Sequence, residues 1–516
     1  MSAQSIKNKI KSNGVVYTPK WIVDLIIEKI NFKENSATHN ILDPSCGDGA
    51  FLYEIVEMII LEAKQQNLEN QQIAEILAKN IYGFDIDEQA ILLAKNRLNS
   101  LLEHYCLPAV FWHIKVFDCL DKNLLTNYQN YFDYIVGNPP YVRIQNLGED
   151  RRLKIQQDWH FCRSGSTDLF IAFFQIANKL LKKDGKLGFI TPNTYLKTKT
   201  AISFRYFLQQ QKNIECLIDF GDYQIFKNAI TYSIITIINK KHKQDYFDYY
   251  KWQDNQLQFV EKINFSDLKI YCWKLVKNDI LAKIKNIENN GTPLKNIAKI
   301  SVGITTLADA YYIFDNVIFN DKYAKIQLKN GEIFEIESEI LKPIIKASIL
   351  KQDKVHKDKY IIFPYQLINE KHKIIAEKTL QENFPKCYDY FISIKQILQN
   401  RDSGKKNNVA WYAFGRSQGL DSSFGNKILT SPMNYKPNFV VSNLADYCFY
   451  SGYAIKFDGN LQELAKILNS ERMFFYIQQT SRDYQGGYKS YAKSFIENFC
   501  ITDYELKKIY QKTEYY

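Results

Sequence analysis

The sequence predicts an α/β fold for residues 22 to about 240, with an open, mostly parallel sheet covered by helices on both faces. Two observations predict it: short β-branched or aromatic runs alternate with longer segments of helical period, and glycine- or proline-containing loops follow several of the short runs. In chain order, the seven strand candidates are NILDP, IYGFDID, KVFDCL, FDYIVGN, KLGFITP, IECLIDFG and YSIITIIN. Ligands bind to such sheets at the carboxyl ends of the strands, so the loops there are the first candidates for a functional site.

Three longer segments between the strand candidates have the apolar spacing of amphipathic helices. They cover residues 50–66, 88–104 and 169–185. The third ends in Lys-Lys-Asp-Gly, which predicts a helix end here, because cations favour the last turn and glycine favours the position just beyond it.

The regular alternation stops after the lysine-rich stretch NKKHKQD, residues 239–245, and short strands, lysine-rich turns and a few helices follow. The chain has 516 residues, more than one hydrophobic core usually serves. We therefore predict a first domain over residues 1–245 and a second, mixed α+β domain over residues 246–516.

The composition is that of a soluble globular protein, with 46% hydrophobic and 24% charged residues. No run approaches the roughly 18 uncharged apolar residues that a membrane span needs, so we expect a cytoplasmic protein with no membrane contact. The nine cysteines are scattered without a C-x-x-C pair, and only seven histidines are present. The sequence thus suggests neither a disulfide framework nor a metal site.

The formal net charge is +11, and most of the excess cationic charge lies in the second half of the chain. That half is also rich in aromatic residues, a combination that fits contact with a phosphate backbone. Lysine-rich faces exposed only to solvent are the alternative explanation.

The first strand candidate ends in an acidic residue and a glycine loop. In NILDPSCGDGAFL, Asp43 and Pro44 stand at the strand tip, and Gly47 and Gly49 allow the backbone to curl close to a ligand. The loop has no third glycine and no Gly-Lys-Ser/Thr, so it resembles neither the dinucleotide fingerprint nor a phosphate-binding loop. We interpret it as a nucleotide-type cofactor site in which pyrophosphate is not the ligand.

The next two strand candidates also end in carboxylates. Asp85 could accept hydrogen bonds from both hydroxyls of a ribose, and Ile86 would then pack on a purine. Asp118 could accept a hydrogen bond from an exocyclic adenine amino group. Each aspartate alone could be a helix cap or a solvated loop residue, but three at successive strand ends favour a binding site.

The fourth strand candidate runs directly into Asn138, Pro139, Pro140 and Tyr141. Proline fixes its own backbone and restricts the residue before it, so two prolines make a rigid, extended turn. Such a turn aims carbonyl groups and the asparagine side chain outward beside an aromatic ring. These acceptors suit an enzyme that must hold an amino group.

Taken together, these motifs resemble the gamma-class (TaqI-type) S-adenosylmethionine-dependent DNA adenine-N6 methyltransferases. The resemblance implies a Rossmann-like, seven-stranded methyltransferase sheet followed by a target-recognition domain, with S-adenosyl-L-methionine as cofactor. Thr18 and Pro19 match the Thr-Pro that contacts the methionine end of the cofactor in this family, and Phe226 matches its aromatic residue on the far face of the extruded base. The tail SRDYQGGYKSYAKSFIENFCI also resembles the C-terminal signature of the family.

The resemblance implies a chemical role for the proline-rich turn. An adenine amino nitrogen is a poor nucleophile, because its lone pair is delocalised into the ring. The Asn138 side-chain oxygen and the Pro139 carbonyl can accept its two N–H bonds and turn the lone pair towards the methyl group. Tyr141 and Phe226 would stack on the two faces of the flipped base.

Target recognition is expected mainly in the basic second half. The segment KKNNVAWYAFGRSQ mixes cations, amides and aromatic residues, with Lys405, Lys406, Trp411 and Arg416 as DNA-binding candidates. Phosphate contacts would position the duplex, and a few side chains would read base edges.

Other functions remain as alternatives. The proline-rich turn also occurs in methyltransferases of RNA or of a protein glutamine, which lack a basic second half of this length and the Thr-Pro segment. A DNA-binding specificity protein with a vestigial methyltransferase half is another alternative, although the intact aspartates and glycines argue against it. The cofactor motif begins within the first twenty residues, so we expect no N-terminal nuclease domain.

We therefore expect site-specific methylation of double-stranded DNA by a monomer, because an asymmetric target needs no dimer. The enzyme would act in a restriction-modification system, with a separately encoded cognate endonuclease as partner, or as an orphan regulator.

Overall fold

The computed structural model describes residues 18–32, 38–123, 125–163, 165–226, 231–350 and 359–511. The chain divides into two compact units, Met1–Asn278 and Asp279–Tyr516.

The first unit alternates strands and helices as the sequence predicts. Its helices are α1 (Lys20–Lys29), α2 (Ala50–Gln65), α3 (Asn70–Asn80), α4 (Glu88–His104), α5 (Glu149–Asp158), α6 (Phe170–Leu180) and α7 (Ile202–Gln211). Its strands are β1 (Ile41–Asp43), β2 (Ile81–Asp85), β3 (His113–Val116), β4 (Phe132–Gly137), β5 (Leu181–Pro192), β6 (Ile214–Asp219), β7 (Ser233–Asn239), β8 (Tyr246–Gln253) and β9 (Gln256–Asn264).

These strands form one sheet in the order β3-β2-β1-β4-β5-β7-β6-β8-β9. Strands β1 to β5 pair in parallel, whereas β7 is antiparallel to both β5 and β6. The seven predicted strands are all present, but the sheet has nine strands rather than seven. The two additional strands form the antiparallel hairpin β8-β9, which extends the sheet beyond β6.

The hairpin also explains why the first compact unit extends beyond the predicted domain boundary. We expected the first domain to end at residue 245, whereas the structure divides the chain after residue 278. Residues 246–264 look like part of the second half in the sequence, because they are rich in aromatic residues. Their backbone nevertheless pairs with β6, so they belong to the first unit.

The core of the first unit lies on both faces of the sheet. Successive residues of a strand point to opposite faces, so Ile135 and Val136 of β4 join different hydrophobic clusters. Strands that are buried on both faces need continuous apolar runs, which is what the strand candidates show.

The predicted end of the third long helix is also wrong. Helix α6 ends at Leu180, and Lys182 already belongs to β5, where its ammonium group pairs with Asp133 at 2.8 Å. A Cβ at Gly185 would lie 2.9 Å from the Asp133 carbonyl oxygen. This glycine therefore permits close approach to β4 instead of capping a helix.

The second unit is mixed α+β with several small sheets. Its helices are α8 (Asn278–Asn289), α9 (Leu294–Ile297), α10 (Asp309–Tyr312), α11 (Glu377–Asn383), α12 (Pro385–Ser393), α13 (Lys395–Gln399), α14 (Arg401–Gly404), α15 (Leu461–Leu468), α16 (Glu471–Thr480), α17 (Lys493–Ile496) and α18 (Asp503–Tyr510). Its strands are β10 (Thr292–Pro293), β11 (Lys299–Val302), β12 (Ile313–Asp315), β13 (Ile318–Asn320), β14 (Tyr323–Gln327), β15 (Ile333–Glu337), β16 (Leu341–Lys346), β17 (Lys359–Ile362), β18 (Tyr365–Ile368), β19 (Lys371–Ile374), β20 (Lys427–Thr430), β21 (Met433–Asn434), β22 (Phe439–Ser442), β23 (Cys448–Tyr450), β24 (Tyr453–Lys456), β25 (Asp483–Tyr484), β26 (Tyr488–Ser490) and β27 (Cys500–Ile501).

Two four-stranded sheets are the largest in this unit, with the orders β11-β24-β20-β22 and β12-β17-β16-β23. Across the described ranges of both units, no helix combines the length and the apolar character needed to cross a bilayer.

Candidate active site

The site lies at the carboxyl edge of the parallel strands. Asp43 ends β1, Asp85 ends β2 and Gly137 ends β4, and these three strands are neighbours in the order β2-β1-β4. Because the strands are parallel, the loops that follow them leave from the same edge. The sheet thus brings the predicted loop residues together from positions far apart in the sequence.

The glycine loop after β1 is held by the end of β2. The backbone N–H of Gly47 donates to the Asp85 carboxylate at 2.9 Å, and the N–H of Asp87 donates to the other oxygen of the same carboxylate, also at 2.9 Å. Gly47 and Gly49 adopt φ of +51° and +82°, a region that favours glycine, and Gly49 precedes helix α2. Asp85 therefore shapes this loop.

The Asp43 side chain lies beneath both the glycine loop and the proline-rich turn. It is 1% exposed, and its Oδ1 accepts the Ser45 N–H at 3.0 Å. A Cβ at Gly137 would lie 2.7 Å from the same oxygen, so the residue before Asn138 must be glycine for this close approach. Burial is the main reason why the pKa of the Asp43 carboxyl is raised to about 8. The Ser45 N–H opposes this rise, and the nearby Asp85 and Asp48 add to it.

The proline-rich turn is connected to the segment before α1. The Asn138 side-chain nitrogen donates to the Thr18 hydroxyl at 3.2 Å. Pro19 follows Thr18 and precedes α1, and its carbonyl oxygen accepts the Ile22 N–H at 3.0 Å. Residues 14–17 of the predicted N-terminal motif lie outside the described residues.

Tyr141 and Phe226 lie next to each other, but not as two parallel rings. Their centroids are 6.2 Å apart and their planes meet at 68°. A base stacked between two parallel rings needs about 7 Å, twice the ~3.4 Å spacing of stacked bases, so the rings must turn relative to each other and move apart before they can hold one. The Tyr141 hydroxyl donates to the Ile190 carbonyl at 3.4 Å, and burial raises its pKa. Stacking on both faces of a base stays a prediction.

The other two predicted ligand contacts differ in their surroundings. Ile86 is 54% exposed just beyond β2, so its side chain is available to cover a ligand. Asp118 accepts the Leu120 N–H at 2.9 Å through one oxygen and the Arg151 guanidinium at 3.2 Å through the other. Its predicted contact with an adenine amino group must therefore coexist with these two bonds.

The DNA-binding candidates of the second unit separate into two groups. Lys405, Lys406 and Arg416 line one cavity of about 400 Å³. Trp411 is not among the residues that line it, and its indole N–H donates to Glu377 at 2.9 Å.

Three residues near these sites were missed at the sequence level. Gly137 fits against Asp43, Arg151 pairs with Asp118, and Asp402 pairs with Arg416. Glycine directly before the Asn-Pro-Pro-Tyr motif was a usable signal for a close approach. The two ion pairs join residues 33 and 14 positions apart, and neither spacing follows a secondary-structure period.

No group of three or more His, Cys, Asp or Glu side chains that could hold a metal ion is found within the described ranges.

Comparison with known proteins finds one family match and several similar chains. Residues 79–226 match the family described as Eco57I restriction-modification methylase. The type II methyltransferase M.BstVI from Geobacillus stearothermophilus is 24% identical over 543 residues, covering 96% of this chain and 91% of that protein. The type II restriction enzyme and methyltransferase RM.Eco57I from Escherichia coli is 27% identical over 482 residues, covering 79% of this chain. The chain spans about half of RM.Eco57I, since the match covers 48% of its length.

A solved structure shows the same fold. The type IIL restriction-modification enzyme MmeI in complex with DNA superposes with a TM-score of 0.59 at 11% identity, over 96% of this chain and 67% of that one. Residues 79–226 thus match the Eco57I restriction-modification methylase family, in a chain whose curated relatives include type II methyltransferases.

Proposed function

We propose that this chain is a site-specific DNA methyltransferase that transfers a methyl group from S-adenosyl-L-methionine to the N6 amino group of adenine. The proposal depends on one observation: the Asn-Pro-Pro-Tyr turn follows β4 directly beside the glycine loop after β1, and Asp43 touches both segments. A methyl donor in the loop and an amino group at the turn would then be neighbours.

The loop residues fit the cofactor. A Cβ at Gly47 would meet no atom within 4 Å, so there is open space over the loop, and the exposed Ile86 lies beyond the adjacent strand. Asp85 can accept hydroxyl hydrogen bonds besides its two backbone N–H bonds, because a carboxylate has about four acceptor sites. Gly47, Gly49, Asp85, Ile86 and Asp118 would bind the nucleoside part. Thr18, Pro19, Asp43, Pro44 and Asn138 would line the methionine end.

When bound, S-adenosylmethionine supplies a methyl group that is activated by its positive sulfur. The protein holds the acceptor: the Asn138 Oδ1 and the Pro139 carbonyl accept the two amino N–H bonds and orient the nitrogen lone pair. Neither oxygen is a strong base, so their contribution is positional and electrostatic. Pro139 and Pro140 restrict the backbone and keep both oxygens in place.

The target base must leave the duplex to reach this turn, which costs a few kcal/mol. Stacking on Tyr141, and on Phe226 after the two rings reorient, would offset part of that cost, at roughly 1 to 3 kcal/mol per base. The second unit would then recognise the target sequence, and double-stranded DNA would be the partner of the whole chain. We expect it to act as a monomer.

Labelled S-adenosylmethionine tests the proposal directly. The full chain is incubated with varied duplexes, which are then digested to nucleosides, and label in N6-methyladenine is expected. Label in another nucleoside, in RNA or protein substrates only, or in no product contradicts the proposal. Asn138→Ala should abolish turnover while leaving DNA binding intact. Asn146→Ala is the matched control, because Asn146 is exposed and lies outside the turn.

A further inference from the structure

The cavity in the second unit is strongly cationic. Four cationic side chains line its wall, those of Arg401, Lys405, Lys406 and Arg416, together with the carboxylate of Asp402. A concave site lined mainly by one sign of charge concentrates ligands of the opposite sign. The cavity is therefore suited to an anionic or acceptor-rich ligand.

Arg416 has unused donors at this cavity. Its Nη1 donates to Asp402 Oδ2 at 3.0 Å and to the Gly415 carbonyl at 2.9 Å, and its Nη2 donates to Asp402 Oδ1 at 3.2 Å. A guanidinium has five N–H donors, so the Nε–H and the second Nη2–H have no protein acceptor among the described residues. These two donors form a planar fork, and the side chain is 46% exposed.

The backbone beneath Arg416 is fixed. Its N–H donates to the Thr305 carbonyl at 3.1 Å, and the preceding N–H donates to Thr306 at 2.9 Å. The buried guanidinium of Arg401 donates to the carbonyls of Thr306 and Trp411, at 2.9 and 3.0 Å, and so joins the two segments. Because its backbone is held and both terminal nitrogens pair with Asp402, the free fork of Arg416 has a defined direction.

The two lysines of the cavity differ from Arg416. Lys405 and Lys406 are exposed, and neither forms an ion pair within the part of the chain that the structure describes. Exposed ammonium groups are typical phosphate contacts. The cavity thus combines one oriented planar donor pair with two exposed point charges, of which Lys405 also interacts electrostatically with Asp402.

We propose that this cavity binds DNA and that the free fork of Arg416 donates two parallel hydrogen bonds to adjacent acceptors. Those acceptors are either O6 and N7 of a guanine or two oxygens of a phosphodiester, and Lys405 and Lys406 contact neighbouring phosphates. Asp402 is a positioning residue for Arg416. The inference rests on the proposed function, because it takes duplex DNA as the substrate.

Binding of the full chain to duplexes tests this site. The target sequence is first obtained by sequencing methylated DNA, and the affinities of wild type and Arg416→Ala are then compared on that duplex and on single-base variants. We expect Arg416→Ala to bind the target roughly 5- to 150-fold more weakly. Arg472→Ala is the matched control, because Arg472 also pairs with a carboxylate, Glu505, at 2.6 Å and does not line the cavity.

The pattern of the loss identifies the acceptor. Contact with guanine predicts a loss confined to duplexes with one particular guanine, which Arg416→Lys does not restore, because lysine has no planar fork. Contact with phosphate predicts an equal loss of affinity on all sequences and recovery of affinity with Arg416→Lys. It also predicts that the slope of log affinity against log salt concentration becomes shallower by about one. Target binding by Arg416→Ala within twofold of wild type overturns the proposal.

Asp402→Asn tests the positioning role. It removes a negative charge from the cavity, so binding to non-target duplexes should not weaken, whereas the Arg416-dependent part of the target affinity should fall. If the ion pair is merely structural, Asp402→Asn lowers the melting temperature and leaves DNA binding unchanged. That result contradicts the positioning role.

The two proposals fail in distinguishable ways. If wild type methylates adenine in DNA and Arg416→Ala binds the target as wild type does, only the cavity assignment is wrong. If folded wild type binds no duplex under any condition, both proposals are wrong.

Discussion

The side-chain nitrogen of Asn138 donates a hydrogen bond to the Thr18 hydroxyl across 3.2 Å, joining residues that are 120 positions apart in the chain. With the amide nitrogen turned towards Thr18, the amide oxygen lies on the opposite side of the group. The hydroxyl therefore fixes which end of the asparagine can accept a hydrogen bond from a substrate.

Thr18→Ala should lower turnover without abolishing it. The hydroxyl holds the Asn138 amide in one orientation, and a neutral hydrogen bond contributes about 0.5 to 1.5 kcal/mol. We expect kcat for methyl transfer to fall roughly 2- to 10-fold. Thr18→Ser keeps the hydroxyl and should retain most of the wild-type rate. Equal rates for the alanine and serine variants would contradict this role.

Gly137→Ala should damage the site more than an ordinary glycine substitution. Its Cβ would lie 2.7 Å from Asp43 Oδ1, and φ at this position is +153°, so the backbone or the carboxyl must move. We expect a loss of about 1 to 3 kcal/mol in unfolding free energy, together with lower activity. Gly148→Ala is the matched control, because a Cβ there meets no atom within 4 Å. Similar unfolding curves for the two variants would argue against the close approach.

Asp43→Asn should change how stability depends on pH. Burial raises the pKa of this carboxyl to about 8, compared with about 3.9 in an unfolded chain. Between these values the unfolded chain releases the proton and the folded chain keeps it, so wild-type stability falls as pH rises. The fall is at most roughly 1.4 kcal/mol per pH unit.

The asparagine variant cannot titrate, so its stability relative to wild type should increase from about pH 5 to about pH 8. Urea unfolding at several pH values measures the difference. A difference that is constant with pH would mean that Asp43 is ionised in the folded chain.

Tyr141→Ala should weaken the hold on the target base. Loss of one stacking partner costs about 1 to 3 kcal/mol, so KM for DNA should rise roughly 5- to 150-fold. Tyr141→Phe keeps the ring and loses only the hydroxyl, with its 3.4 Å bond to the Ile190 carbonyl and its bond with Ser233, so it should remain close to wild type. Fluorescence of 2-aminopurine at the target position reports whether the base leaves the stack. If both variants lose the same activity, the hydroxyl rather than the ring is what matters.

The strand ends were predictable, because a buried parallel strand needs a continuous apolar run and the loop after it needs special backbone residues. Asp43, Asp85 and Asn138 were identified in this way. The hairpin Tyr246–Asn264 was not, because its edge position leaves many polar side chains, and its aromatic residues resemble those of the second half. Only the pairing with β6 assigns it to the sheet.

Contacts between side chains that are distant in the chain could not be predicted from the sequence either. The pairing of Arg416 with Asp402 depends on the path of a loop, and no helical or strand period relates the two positions. The edge-to-face arrangement of Tyr141 and Phe226 likewise depends on packing between separate segments.

The buried Asp43 carboxyl next to Gly137 limits how the substrate preference of this protein can be changed. Since a single side chain supports the loop on one side and the turn on the other, the two segments cannot be redesigned one at a time. A side chain at position 137 would meet Asp43 Oδ1, the same oxygen that accepts the Ser45 N–H. Variants with a new acceptor preference should therefore carry paired changes after β1 and at the end of β4.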